Sequence, residues 1–294
     1  MKLKVWGARG SVPTPGAAMD RFGGNTSCVE VLLRSGERLI LDAGTGIRAL
    51  GFAVRPDSGP LNILLTHLHL DHIQGLMFFA PFFRADSRIR IWGPSSPDAS
   101  LEQRIARYIS APLSPVEVRE LPSHVSFLDA PPTRWEIGGA TISAGGVTHR
   151  GPTLGYRIED GDETLCYIPD HEPALAESIA EVGTEWISGF DLAHGADLLI
   201  HDCQYADGEY PEHVGWGHSG ISDAMTFAAR AEPARTMMFH HDPMHTDEAL
   251  LELHGLARER YSDAGGDGDR VLIASEGCEL DLAVPHPAPA GATG

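Results

Sequence analysis

The feature that most constrains this chain is an apolar run that ends abruptly in metal-ligand chemistry. Residues 61–66 read as a buried strand. The run stops at His67-Leu68-His69-Leu70-Asp71-His72, which packs three imidazoles and a carboxylate into six residues. In an extended segment His67 and His69 project to the same side. Asp71 and His72 follow where the pattern turns helical, over 73–79. Imidazole and carboxylate are zinc donors that manganese and iron also accept. Six residues are too few for a catalytic metal pair, so further donors are expected at other strand ends. His149, Asp170 and His240 each follow a strand-like run, as ligands at the rim of a sheet should.

The rest of the pattern supplies those sheets. Strand-like runs cover 2–7, 27–33, 38–41 and 89–92, and short strands separated by turns fill 123–147. A hairpin is predicted from 153–158 to 164–168, and further strands at 196–200, 236–239, 271–274 and 279–284. Helical patterns end near 53 and cover 99–108, 174–182, 222–230 and 247–261. Thr246, followed by Asp247 and Glu248, looks like a capped helix start. Two strand-rich halves covered by helices predict an α/β sandwich with mixed sheets. We read 1–284 as one domain and the Pro/Ala/Gly-rich 285–294 as a disordered tail.

Composition narrows the function. The chain has 294 residues, 22 Lys+Arg against 41 Asp+Glu, and a formal charge of −19. That balance argues against a broad basic surface for nucleic acid. It leaves room for a small anionic substrate, because bound cations reverse the sign locally. Cys28, Cys166, Cys203 and Cys278 form no CxxC pair and are expected as buried free thiols of a reducing compartment. No signal-peptide pattern and no membrane-length apolar run is visible, so the expected location is cytoplasmic.

These motifs resemble the metallo-β-lactamase superfamily. Its HxHxDH motif stands here at His67, His69, Asp71 and His72, and its later single His, Asp and His match His149, Asp170 and His240. The resemblance covers roughly 3–284 and implies a four-layer αββα sandwich. It implies that His67, His69 and His149 hold one metal, that Asp71, His72 and His240 hold a second, and that Asp170 bridges both. His241 competes with His240, and the spacing His240-His241-Asp242-Pro243 favours His240. Trp6-Gly7-Ala8-Arg9-Gly10-Ser11 and Gly23-Gly24-Asn25-Thr26-Ser27-Cys28 look like the ribonuclease Z and cyclic-phosphodiesterase-like branch. His201-Asp202 is similar to the start of its His-Glu-Ala-Thr element, and Gly217-His218-Ser219 to its His-Ser-Thr element. Dimers are common among such relatives, so a homodimer is an expected state.

The implied chemistry is that of a dinuclear hydrolase with two divalent ions, zinc first and manganese or iron as alternatives. A bridging water with a lowered pKa would attack phosphorus, and the ions would neutralise the phosphate oxygens. His218 is the candidate general acid, with Asp202 to orient it. Asp71 is placed with the catalytic as well as the ligating residues. Asp42 is expected to support a ligating histidine. Arg9, Ser11 and Asn25 read as loop residues rather than substrate contacts, and His171 and His201 as structural. Phe78, Phe79, Phe82 and Phe83 read as core, with a cleft wall as the sharper alternative.

The leading expectation is a phosphodiesterase acting on a small phosphodiester such as a cyclic nucleotide. A ribonuclease Z-type endonuclease comes second, weakened by the charge and by the absence of a long basic arm between His72 and His149. A lactonase, thioesterase or β-lactamase comes third. A non-catalytic scaffold would be expected to have lost ligands, and every position here is filled. Two divalent ions would bring the net charge to about −15, which weighs against a long nucleic acid rather than a small anion.

Overall fold

A computed structural model describes residues 1–56, 58–173 and 179–283. Two seven-stranded mixed sheets face each other. The first contains β1 (Lys2–Gly7), β2 (Cys28–Leu32), β3 (Arg38–Leu41), β4 (Leu61–Leu64), β5 (Arg88–Gly93), β6 (His124–Asp129) and β14 (Glu279–Asp281), in the order β14-β1-β2-β3-β4-β5-β6. The second contains β7 (Trp135–Ile137), β8 (Ala140–Gly146), β9 (Leu154–Asp160), β10 (Glu163–Ile168), β11 (Leu198–Asp202), β12 (Thr236–Phe239) and β13 (Val271–Ile273), in the order β13-β12-β11-β10-β9-β8-β7. Each sheet has an antiparallel half and a parallel half: β3 to β6 run parallel in one, and β10 to β13 in the other.

Period-two alternation sorts the strands' side chains into three cores. Leu39 and Leu41 face the second sheet, where Tyr156, Tyr167, Ile200 and Phe239 meet them. Ile40, between them, faces outward with Ile63 and Ile91 and packs on α1 (Ile47–Ala53) and α3 (Leu101–Ala106). Cys166, Leu199 and Met238 on the other outer face pack on α5 (Ile221–Ala231) and α6 (Asp247–Asp263). The result is the expected α-β-β-α order of layers. Local signals agree with it: Thr246 caps α6 by accepting from Ala249 N, and Ser100 forms a capping box with Gln103 at α3.

The helix expected over 73–79 forms differently. The chain makes one α-turn, α2 (Leu70–Ile73), then 3-10 turns at Leu76–Phe78 and Ala80–Phe83. Two causes are visible. A Cβ at Gly75 would lie 2.0 Å from Gly44 O, so the backbone runs against a neighbouring loop there. Pro81 then denies the turn a donor. Cys28, Cys166 and Cys203 are buried, whereas Cys278 is only half-buried. Much of the helix expected over 174–182, and the expected tail, lie outside the described residues.

The registers bring strand ends level. Leu41 pairs with Leu64, Ile168 with His201, and Asp202 with Phe239. The residues that follow those ends therefore collect at one rim of the sandwich, where ligands sit in open α/β sheets.

Candidate metal centre

His67 and His69 follow β4, and Asp71 and His72 lie in the single turn of α2. His149 comes three residues after β8, Asp170 two after β10, and His240 directly after β12. His240 takes a left-handed backbone (φ 58°), an uncommon conformation for a residue with a Cβ. Gly10 makes room for it: a Cβ there would lie 2.4 Å from His240 Nδ1.

The structure brings the seven expected ligands together. Ligating atoms of His67, His69 and His149 lie within 4.8 Å of one another, as do those of Asp71, His72 and His240, and those of His67, His72 and Asp170. Asp170 sits between the two groups. Its Oδ2 is 3.6 Å from His67 Nε2, 3.6 Å from His149 Nε2 and 3.4 Å from His240 Nε2; its Oδ1 is 3.1 Å from His72 Nε2. His69 Nδ1 lies 3.2 Å from His149 Nε2.

Hydrogen bonds at the far nitrogens fix which nitrogen faces inward. His72 Nδ1 donates to Asp42 Oδ2 (2.8 Å), and His149 Nδ1 donates to Gly217 O (2.7 Å). His240 Nδ1 donates to Gln204 Oε1 (2.9 Å). Thr66 Oγ1 lies 3.0–3.1 Å from both oxygens of Asp42, so it donates there and accepts from His67 Nδ1 (3.0 Å). Each of these four imidazoles presents Nε2 to the shared space, as a ligand held from behind does. His69 presents Nδ1 instead.

These donors fit divalent ions. Two donors each about 2.1 Å from a tetrahedral zinc stand roughly 3.4 Å apart, which is the spacing seen here. His67 Nε2 and Asp170 Oδ1 are buried and have no hydrogen-bond partner. The site also demands positive charge. Burial pushes His72 and His240 down, yet Asp170 and Asp71 outweigh it, holding His72 well above the usual range and His240 at about 9. Burial likewise opposes ionisation of Asp170, yet His240, His72 and His67 keep its carboxyl well below the usual range. Two divalent cations would meet that demand.

Above the cluster lies His218. Its ring stacks on His240 at 4.8 Å (15°) and meets His149 edge-on at 4.9 Å. Its Nδ1 donates to Asp202 Oδ2 (2.7 Å), which leaves Nε2 for the site. Asp202 also accepts from the backbone N–H of His171, Gln204 and Ser219, so its carboxylate is locked. His218 and Asp170 also have atoms within 4.8 Å of His149's, so the ring sits within ligand range as well as above it.

Several contributors escaped the sequence reading. Gln204 clamps His240 and donates to Asp242 (3.1 Å). Tyr167 donates to Asp42 (3.0 Å) from the opposite sheet. Buried Glu172 accepts from Tyr210 OH, Gly215 N and Gly217 N and so pins the loop that carries His218. Only Gln204 had a usable signal, its position two residues past Asp202. Asp42 acts as expected, behind His72. His241 faces away, its Nε2 donating to Ala274 O (2.9 Å). Arg9 is buried and donates to Gly23 O, Asp242 O and His245 O. Asn25 bonds Glu276, while Ser11 reaches the site through its backbone N–H on Asp71 (2.8 Å). Phe79 and Phe82 are core; Phe78 and Phe83 are exposed.

With fold and donors in place, comparison with known proteins defines the class. The family described as the beta-lactamase superfamily domain matches residues 37–241, and the chain belongs to it. It is a metal-dependent hydrolase of the ribonuclease Z-like branch. The chain is 26% identical over 320 residues to Ribonuclease Z of Haloferax volcanii, covering 96% of this chain and 95% of that one. The fold is similar to that of YhfI from Bacillus subtilis, a metallo-beta-lactamase fold protein (TM-score 0.68, 21% identity, 95% and 98% coverage). It is also similar to the short form of human tRNase Z (TM-score 0.66, 21% identity, 97% and 100% coverage).

Proposed function

We propose that this chain is a dinuclear, zinc-dependent phosphodiesterase acting on a small phosphodiester such as a cyclic nucleotide. The observation that carries this reading is the His218–Asp202 pair (2.7 Å) placed directly over the His/Asp cluster. A phosphodiester needs both halves of that arrangement. Its phosphate oxygens need cations, and its departing alkoxide needs a proton.

His67, His69 and His149 would hold one ion, Asp71, His72 and His240 the other, and Asp170 both. Bound there, the ions would supply Lewis acidity toward the phosphate and an activated water. Asp202 holds His218 by Nδ1, so Nε2 is the nitrogen that hands a proton to the leaving oxygen. Asp42, Thr66, Gln204 and Gly217 O keep the ligating imidazoles in the needed tautomer.

A second reading has its own support. Relatives matched along nearly their whole length carry the name Ribonuclease Z, which points to tRNA and answers the argument from net charge. Two observations favour the smaller substrate. The alignment of 320 positions is longer than this chain, so that relative has residues with no counterpart here. Among the described residues, the hairpin between β9 and β10 turns in two residues and projects no arm. The predicted setting is cytoplasmic, and no described helix is long and apolar enough to cross a membrane.

The test is a hydrolysis panel on zinc-loaded protein: bis-p-nitrophenyl phosphate, cyclic nucleotides, a lactone, a thioester and precursor tRNA. Cyclic nucleotides should turn over fastest, and His218→Ala should slow poor leaving groups more than good ones. Turnover of precursor tRNA alone would move the assignment to the second reading. Equal slowing of all leaving groups would remove His218 as the acid.

A further inference from the structure

One exposed aromatic residue beside the site has no part in the chemistry above. Trp216 stands one residue before Gly217 and two before His218. Gly217 packs so closely on His149 that a Cβ there would lie 2.4 Å from its Nδ1. Trp216 is nevertheless 54% exposed. Its ring meets His213 edge-on at 5.0 Å, His213 stacks on Tyr205 at 4.2 Å, and Tyr205 meets His218 at 6.1 Å.

The loop that holds Trp216 is rigidly tied. Buried Glu172 accepts from Tyr210 OH (2.9 Å), Gly215 N (2.8 Å) and Gly217 N (2.8 Å). Arg150, which follows His149, donates from Nε to Gly215 O (2.9 Å). Arg150 is exposed. A loop with this many anchors has the means to fold its largest apolar ring inward, yet it leaves that ring half in water. The cluster opens at His69, which is exposed and whose Nδ1 lies 3.2 Å from Nε2 of His149, the residue on which Gly217 packs; the side chains of His67, His72, His149 and Asp170 are buried.

We propose that Trp216 is the specificity-determining residue for the non-reacting end of the substrate. It is a pre-set platform on which a nucleobase stacks while the phosphodiester lies over the cluster, with Arg150 as its brace. Every base offers a π-face to an indole, so such a platform selects nucleoside phosphodiesters without selecting the base. The inference rests on the phosphodiesterase reading and narrows it to substrates that carry an aromatic base.

The test uses two substrates that differ only in the base: adenosine 3′,5′-cyclic phosphate and 1-deoxyribose 3,5-cyclic phosphate. Trp216→Ala should raise KM for the adenosine substrate about tenfold with kcat unchanged. It should leave the base-free substrate unaffected, and Trp216→Phe should restore most of the loss. The same change on both substrates, or none on either, overturns the platform while leaving the phosphodiesterase reading intact. If the wild-type chain hydrolyses neither substrate, that reading fails, and binding of adenosine 5′-monophosphate to zinc-loaded protein decides the platform alone. Calorimetric affinity about tenfold weaker in Trp216→Ala supports it; equal affinity, or a change of oligomeric state with equal affinity, overturns it.

Discussion

Two layers of histidine lie back to back at the rim of the sandwich, and they use their nitrogens differently. In the front layer, His67, His72, His149 and His240 each spend Nδ1 on a protein acceptor and leave Nε2 facing the space around Asp170. In the back layer, His171 and His201 spend both. Ser188 Oγ lies 2.8 Å from His171 Nε2, His171 Nδ1 lies 2.9 Å from His201 Nε2, and His201 Nδ1 donates to Asp202 O (2.8 Å). The two layers are sequence neighbours, since His171 follows Asp170 and His201 precedes Asp202. Charge divides them less cleanly: carboxylates hold His72 and His240 up, whereas burial lowers His67 and His149 in the front layer as it lowers His171 and His201 in the back. A histidine with one nitrogen free beside a carboxylate is built for an ion. One with both nitrogens engaged by protein groups is built to join loops.

The largest effect should come from removing the carboxylate that makes the front layer one site. Asp170→Asn keeps the volume but takes away the charge shared by His67, His72, His149 and His240. Turnover should fall about 10³-fold or more, the scale of losing several kcal/mol of Lewis-acid stabilisation. Metal analysis should fall below two ions per chain while the circular dichroism stays that of a folded protein. Full zinc content with unchanged rate would dissolve the distinction between the layers.

A smaller effect should follow from loosening one front-layer imidazole. Gln204→Ala deprives His240 Nδ1 of its acceptor and frees the ring to rotate away from Asp71. Removing such an orienting partner costs roughly 10–100-fold in metal affinity. Competitive chelator titration should show one ion weakened and the other retained, because the His67, His69 and His149 group does not depend on Gln204. Equal weakening of both ions would mean that the two groups are not separable.

The front layer was legible in sequence where its members fall in one short run. His67, His69, Asp71 and His72 need only a strand and a turn to converge. His149, Asp170 and His240 were legible because each stands just past a strand, and strand ends share a rim. The partners behind them were harder to see. Tyr167 reaches Asp42 across the sandwich from the other sheet, and Glu172 holds a loop about 40 residues downstream through backbone N–H groups. Backbone donors leave no trace in residue identity. The helix expected over 73–79 failed for a related reason: Gly75 meets Gly44 across a tertiary contact that periodicity does not register.

The back layer offers the smallest and most selective test, because its loss should be silent at neutral pH. Burial holds His201 at about 4, against about 6.5 in an unfolded chain. Between those values the unfolded chain binds the proton and the folded chain does not. Stability from this group is therefore full above about pH 6.5 and is lost as pH falls toward 4. The loss reaches about 3 kcal/mol at most. His201→Gln keeps an acceptor for His171 Nδ1 and does not titrate. Urea midpoints of the two proteins, measured from pH 7.5 to 4.5 at fixed zinc, should run parallel above pH 6.5 and then diverge, the wild type falling faster. Turnover at pH 7.5 should be unchanged, since His201 Nε2 faces His171 and not the cluster. Parallel curves across the whole range would show that His201 is not held neutral, and that the line between the two layers must be drawn elsewhere.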